Sequence, residues 1–263
     1  MKNLILFFFF FTTISIAFGQ NQKLLSSMIN HVTIDADQFL GYDQFGYYYT
    51  LKNNVLSKIK DTETLQYKNI SLGKITKVDL LNPLKIVLFY ENFNTVILLD
   101  NQLNETQKIN FSENTIPIVA TATGIASQNQ LWIYNSLNQQ IGLYDYLKKD
   151  YKTISTSFPE SIKYYQSDFN TFHWIDKKNN WFSCDIFGKI TKKEKISDFD
   201  SIEIISDNQL IISKDSILTI DNEKNQKFEI EILEKTFKKF CYKDQILSIF
   251  TSGGITNYKI IIP

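Results

Sequence analysis

From residue 38 to residue 261, short runs of β-branched and aromatic residues alternate with short polar stretches, and the alternation repeats. Tyr47 to Thr50, a Lys52-Asn53-Asn54 turn and Val55 to Ile59 make the first pair of runs. Leu84 to Tyr90 and Thr95 to Asp100 flank Glu91 to Asn94; Gln130 to Asn135 and Gln140 to Asp145 flank Ser136 to Gln139. Thr171 to Asp176 and Trp181 to Ile186 make the fourth pair, Gln209 to Ser213 and Ile217 to Asp221 the fifth, Gln245 to Phe250 and Ile255 to Ile261 the sixth. Val, Ile, Tyr and Phe suit a pleated, half-buried surface, and Asn, Asp, Lys and Gly suit the turns between. Turn centres near 53, 93, 137, 179, 215 and 253 are 40, 44, 42, 36 and 38 residues apart. A hairpin returning at that interval implies four strands per unit, the period of propeller blades.

A short strand precedes each hairpin, at Gln38 to Tyr42, Ile75 to Leu81, Ile116 to Thr123, Ser161 to Tyr165, Ser201 to Ile205 and Phe237 to Tyr242. After most hairpins an Asp leads into a Lys-bearing strand: Asp100 to Gln107-Lys108-Ile109, Asp145 to Tyr151 to Ile154, Asp221 to Lys227 to Ile230. Lysines on an outer strand fit a half-solvated edge, and the Asp residues fit turn caps. The sixth unit lacks a fourth strand, and Lys23 to Ile34 is a spare one. The pattern therefore predicts an all-β, six-bladed β-propeller of about 41 residues per blade, its ring closed by the N-terminal strand. Outside the first twenty residues no helical periodicity lasts ten residues; Gln22 to His31, the best candidate, fits a strand or turn equally well.

Residues 1–19 read differently. Lys2 and Asn3 precede an apolar run from Leu4 to Phe18, and Ala17-Phe18-Gly19 places small residues before Gln20. That layout predicts a cleaved secretory signal peptide, its apolar run being short for a membrane span. Residues 20–263 are then a single propeller domain with no later membrane-spanning segment, working in an exported compartment. Removing residues 1–19 also removes six of the 21 Phe.

Composition narrows the chemistry. The 28 basic and 28 acidic residues balance, and every basic residue is Lys. That balance argues against a nucleic-acid partner, and the missing Arg weakens bidentate recognition of phosphate or carboxylate. No nucleophile elbow, P-loop, dinucleotide fingerprint or zinc-protease motif is present, so no catalytic residue, cofactor or metal site is assigned. His31 and His173 are the only histidines, and His173, between Phe172 and Trp174, reads as a packed residue. Asp79, Asp168, Asp200 and Asp207 lie near inner-strand positions and read as turn or solvent groups, although propeller enzymes do gather carboxylates from several blades. Cys184 and Cys241, on non-adjacent units, read as buried free thiols. The one candidate binding surface is aromatic: Trp132, Trp174 and Trp181, for which packing between blades is the stronger reading.

Lys in place of Arg, heavy Asn and Ile usage and a leader ending Phe18-Gly19-Gln20 resemble exported proteins of Bacteroidota. Tyr67 to Ile75 and Leu84 to Asn94 are similar to an uncharacterised secreted, propeller-like envelope family of flavobacteria. The resemblance implies export to the periplasm or outer membrane, with extracellular release less favoured, and brings no activity with it. The expectation is a non-catalytic protein-binding or scaffold module of the cell envelope. The alternatives are a six-bladed propeller enzyme of the lyase or lactonase type, which needs polar groups converging in the channel, and a glycan-binding lectin.

Overall fold

Two-residue turns with both residues at positive φ match the twist of the strands they join, and Asn and Asp tolerate that conformation best. Asn53 and Asn54 (φ 49° and 63°) and Asp215 and Ser216 (49° and 64°) close two of the hairpins in this way. A computed structural model describes residues 22–221 and 226–262, so the leader read at residues 1–19 lies outside the described residues. The described residues form six small sheets, five of four strands and one of five. Together they make a six-bladed β-propeller. No helix among them is long and apolar enough to cross a membrane.

Each of the first four blades is a plain four-stranded meander. Blade 1 uses Gln38–Tyr42, Tyr48–Lys52, Val55–Lys60 and Glu63–Tyr67; blade 2 uses Lys77–Asp79, Ile86–Tyr90, Thr95–Leu99 and Glu105–Asn110. Blade 3 uses Ala120–Ile125, Gln130–Asn135, Gln140–Asp145 and Asp150–Thr153; blade 4 uses Ile162–Ser167, Thr171–Asp176, Asn180–Asp185 and Ile190–Lys195. Blade 5 is built from Ser201–Ser206, Gln209–Lys214, Ile217–Asp221 and Lys227–Glu231, and blade 6 from Lys239–Lys243, Ile246–Phe250 and Ile255–Lys259. The outer strands Glu63–Tyr67 and Ile190–Lys195 carry too few apolar residues to stand out in the sequence.

Closure follows the sequence reading, with one addition. Ser27–Val32 pairs antiparallel with Ile255–Lys259 and supplies the missing fourth strand of blade 6. Gln22–Leu25 does something else: it adds to the outer strand of blade 5 in parallel, Leu24 opposite Ile230. The chain crosses between blades at Ser26, whose hydroxyl donates to the Glu231 carbonyl. One short segment thus laces the last two blades together. Gly254 makes the closure possible, because at φ +136° it lies against the backbone of Val32 and Thr33, where a Cβ would collide with the Val32 carbonyl oxygen.

The middle strands of each blade bury both faces. All of Ile86–Tyr90 and Thr95–Leu99 is buried. Apolar clusters fill the gaps between successive blades, such as Val87, Phe89, Leu131 and Ile133 between blades 2 and 3. Among the described residues, the apolar cluster at the seam between blades 6 and 1 has Phe39, Phe250 and Ile255 as its fully buried members, beside a polar network. There Asn257 Nδ2 donates to Asn30 Oδ1 at 2.7 Å and to Tyr42 Oη at 3.0 Å, and Ser248 Oγ donates to Asn257 Oδ1 at 2.7 Å.

The two N-terminal strands therefore differ in weight. Truncation through Leu25 leaves every blade with four strands and is expected to lower the melting temperature by a few degrees, on the order of 1 kcal/mol. Truncation through Val32 exposes the edge of Ile255–Lys259 and the thin seam, and is expected to abolish the cooperative transition. Thermal unfolding followed by circular dichroism distinguishes the two, and equal losses would refute this ranking.

Candidate functional site

An inner blade strand has a neighbour on one side only. Its other edge faces the channel, with N–H and C=O groups that need partners. In this chain, side chains from a neighbouring blade, most often the preceding one, meet many of those groups. Asp79 on blade 2 accepts from Leu81 N at 2.9 Å and, across the gap, from Ile125 N of blade 3 at 2.8 Å. Tyr165 Oη of blade 4 receives a long 3.5 Å contact from Thr123 N of blade 3. Gln166 of blade 4 holds Ile204 of blade 5 twice, accepting from its N–H at 3.0 Å and donating to its carbonyl at 2.7 Å. Glu203 of blade 5 accepts from Tyr242 N of blade 6 at 2.8 Å, and the Cys241 thiol of blade 6 donates to the Leu40 carbonyl of blade 1 at 3.6 Å. Outside the channel, Asn54 completes the circuit from blade 1 to blade 2: it accepts from Ile75 N at 2.8 Å and donates to the Gly73 carbonyl at 2.6 Å. Gly124 lets blade 3 approach, because a Cβ there would meet Ser167 Oγ and lie 3.0 Å from Asp79 Oδ2.

At the channel end where the inner strands begin, three of these side chains, Gln166, Glu203 and Cys241, border a cavity of about 540 Å³. Its wall includes Lys77, Tyr164, Gln166, Glu203, Lys239 and Cys241, drawn from blades 2, 4, 5 and 6. Burial pushes the Glu203 carboxyl up to about 7, against the pull of the Tyr242 N–H, Lys239 and Lys77. Burial also raises Asp79 above the usual carboxylate range, and lowers Lys77, helped by the nearby Lys239 charge. The Cys241 thiol is pushed up to about 12 and the Tyr164 phenol well above 10, both by burial first, so both are neutral near pH 7. Cys184 and Cys241 are free thiols as expected, but Cys241 is only half-buried because it faces this cavity.

The three tryptophans are not a surface. Trp132, Trp174 and Trp181 are 0%, 1% and 1% exposed. Trp132 Nε1 donates to the Asp168 carbonyl at 2.8 Å across the blade 3–4 gap. Trp174 stacks between Phe158 (4.7 Å) and Phe182 (5.2 Å), with Tyr134 stacked on Phe158 at 5.1 Å. Trp132 and Trp174, on the second strands of blades 3 and 4, share one inter-blade core, and Trp181, on the third strand of blade 4, lies in another.

The other sequence candidates are also dispersed. Asp168 caps its own turn through Asn170 N and Thr171 N, as Asp100 and Asp145 cap theirs; the side chain of Asp221 lies outside the description. Asp200 accepts from Asp215 N and pairs with Lys214 at 3.0 Å. His31 contacts Thr256 Oγ1 at 3.1 Å on blade 6. His173 is buried, its Nδ1 lacks a partner, and its Nε2 lies 4.0 Å from Asp168 and 3.7 Å from Asp207, too far for a hydrogen bond. Burial lowers its pKa, with the two carboxylates opposing. Among the described residues no group of three or more His, Cys, Asp or Glu is placed to hold a metal ion.

Glu203 gives this site a pH signature. Its folded pKa of about 7 lies above the ordinary 4.5, so its ionisation opposes folding. The protonated form carries no penalty below about pH 4.5, and stability falls as pH rises to about 7, by roughly 1–3 kcal/mol after solvent screening. Glu203→Gln keeps an acceptor for Tyr242 N and has no charge to bury. Its melting temperature is expected to exceed the parent's near pH 8 and to match it near pH 4.5. A pH-independent difference would contradict this assignment.

Comparison with known proteins yields no matching family model and no matching curated protein. Solved structures do match. Virginiamycin B lyase from Staphylococcus aureus aligns at TM-score 0.56 and 13% identity, over 85% of this chain and 80% of that one. A member of the DUF4221 family from Bacteroides vulgatus aligns at TM-score 0.57 and 9% identity, over 93% and 98%. The β-propeller domain of Cps50 (Swd1) from Myceliophteria thermophila aligns at TM-score 0.57 and 10% identity, over 90% and 100%. One neighbour is an enzyme and another a propeller domain, and at such identities the likeness establishes the β-propeller fold alone.

Proposed function

We propose that this chain is a non-catalytic, exported β-propeller that acts as a protein-binding module in a bacterial cell envelope. The observation that carries the non-catalytic reading is the occupation of the channel carboxylates. Asp79 and Glu203 each accept backbone N–H groups of a neighbouring blade, so both serve the ring. Holding the ring accounts for both carboxyl groups without invoking a reaction. The exported address rests on the Leu4 to Phe18 run and the Ala17-Phe18-Gly19 sequence after it.

The binding face best supported lies at the other end of the channel, on blades 3 and 4. Phe187 is 86% exposed, Leu147 67% and Phe169 38%. Their loops are laced by backbone bonds: Tyr146 N to Asn129 O, Ser127 N to Phe169 O, Ile186 N to Asn170 O. Large apolar side chains on loops held in this way lose little entropy on docking, which suits a protein partner.

The test is cross-linking in the native envelope followed by affinity purification. A stoichiometric protein partner is expected with the parent chain, and its recovery is expected to fall at least about tenfold with Phe187→Asp combined with Phe169→Asp. Both residues are solvent-facing, so the melting temperature should stay within a few degrees. Recovery of the chain alone, or undiminished capture by the double variant, would overturn the reading.

A further inference from the structure

Four lysines line the channel cavity, Lys77, Lys163, Lys238 and Lys239, against two carboxyl side chains, Asp200 and Glu203. Lys77 opens the inner strand of blade 2 and Lys239 that of blade 6. Neither is within ion-pair distance of a carboxylate among the described residues, whereas at the rim Lys163 pairs with Asp198 at 3.0 Å and Lys214 with Asp200 at 3.0 Å, and Lys238 is exposed, its Nζ 5.4 Å from the Phe250 ring centre. Aromatic faces lie beside Lys77, its Nζ 4.9 Å from the Tyr165 ring centre and 5.9 Å from that of Tyr164, while Asp79 and Glu203 act on it only through space. An ammonium removed from water without a counter-ion is costly. The two carboxyls that share the channel do not remove the cost. Asp79 spends its oxygens on Leu81 N and Ile125 N, Glu203 binds Tyr242 N, and burial moves both toward their neutral forms. Tyr164 and Cys241 are neutral parts of the same wall, their hydrogens committed to Gln166 Oε1 and the Leu40 carbonyl. Positive charge therefore predominates around a space of about 540 Å³, ample for a small ligand and several waters.

We propose that this mouth of the channel is a binding site for a small dianion, a dicarboxylate or a phosphate-class oxyanion, held between Lys77 and Lys239 with Tyr164 and Cys241 as neutral walls. The site is independent of the protein-binding face at the other end of the channel. Lysine, a compact point charge, serves here without any arginine fork. The anion replaces the missing counter-charge, so binding raises the Lys77 pKa toward its ordinary value. Deprotonation of Glu203, faced by Lys77, Lys239, Asp79, Tyr164 and Cys241, returns negative charge to the cavity and weakens the site.

The experiment is calorimetric titration of the full chain with sulfate and, separately, oxalate, each a dianion between about pH 6 and about pH 8, at constant ionic strength. Saturable one-to-one binding is expected with at least one probe; sulfate alone marks the oxyanion class and oxalate alone the dicarboxylate class. Lys77→Met and Lys239→Met are each expected to weaken binding at least about tenfold, while Lys148→Met, on an exposed loop, leaves it unchanged. Parent affinity is expected to fall about threefold or more from pH 6 to pH 8, and Glu203→Gln to flatten that dependence. A readout on the unmodified chain guards against variants that fail to fold: the bound anion should slow alkylation of Cys241 by a small neutral reagent. No saturable heat, full binding by the lysine variants, a pH dependence that survives in Glu203→Gln, or an unchanged Cys241 rate would each overturn the proposal.

Discussion

The ring depends on how the bare edges of its inner strands find hydrogen-bond partners. A propeller blade hides its outer edge behind lysines and solvent, but its inner edge faces five others across a narrow channel. Here Asp79, Gln166, Glu203 and Cys241 each reach to the backbone of the next blade in the same rotational sense. Every such bond satisfies a backbone group that water would reach only inside the channel, and each ties one blade to the next. Removing one partner strands the other, and that asymmetry gives such bonds their weight.

The same arrangement sets the chemistry of the channel. A carboxylate that staples backbone is desolvated by the strands it joins, and its pKa rises; Glu203 is the clearest case. A lysine in the same place loses its counter-ion to the staple. Lys58 shows the other solution to a buried lysine. It lies in the third strand of blade 1, 3% exposed, with Nζ donating to the Asn101 carbonyl at 2.7 Å and sitting 4.3 Å over the Tyr47 ring. Lys77 has the ring faces but no such acceptor among the described residues, and the two lysines differ for that reason.

Aromatic residues take their places from the same geometry. Blades splay outward, so the gaps between them need wide, flat fillers, and the Tyr134–Phe158–Trp174–Phe182 stack fills the gap between blades 3 and 4. The seam between blades 6 and 1 joins the two ends of the chain and is the thinnest of the contacts. Backbone pairing by Ser27–Val32 and the Asn257 network take over where apolar filling is slight.

Much of this was legible along the chain, because strand periodicity and turn residues are local properties. Gln38–Tyr42, the six hairpins and the Asx caps at Asp100 and Asp145 follow from residues within a few positions of one another, and the closing role of the N-terminal strand follows from the count of strands in the sixth unit. The outer strands at Glu63–Tyr67 and Ile190–Lys195 escaped notice because half-solvated edges carry a weak apolar signal. For Trp132, Trp174 and Trp181 packing between blades is the stronger reading along the chain, and their burial agrees with it. The parallel addition of Gln22–Leu25 to blade 5 and the gathering of Lys77, Tyr164, Glu203, Lys239 and Cys241 around one cavity were decided by tertiary structure alone. Those residues are distant in sequence and meet only because six sheets close into a ring, which turns one position of each repeat inward toward a common axis.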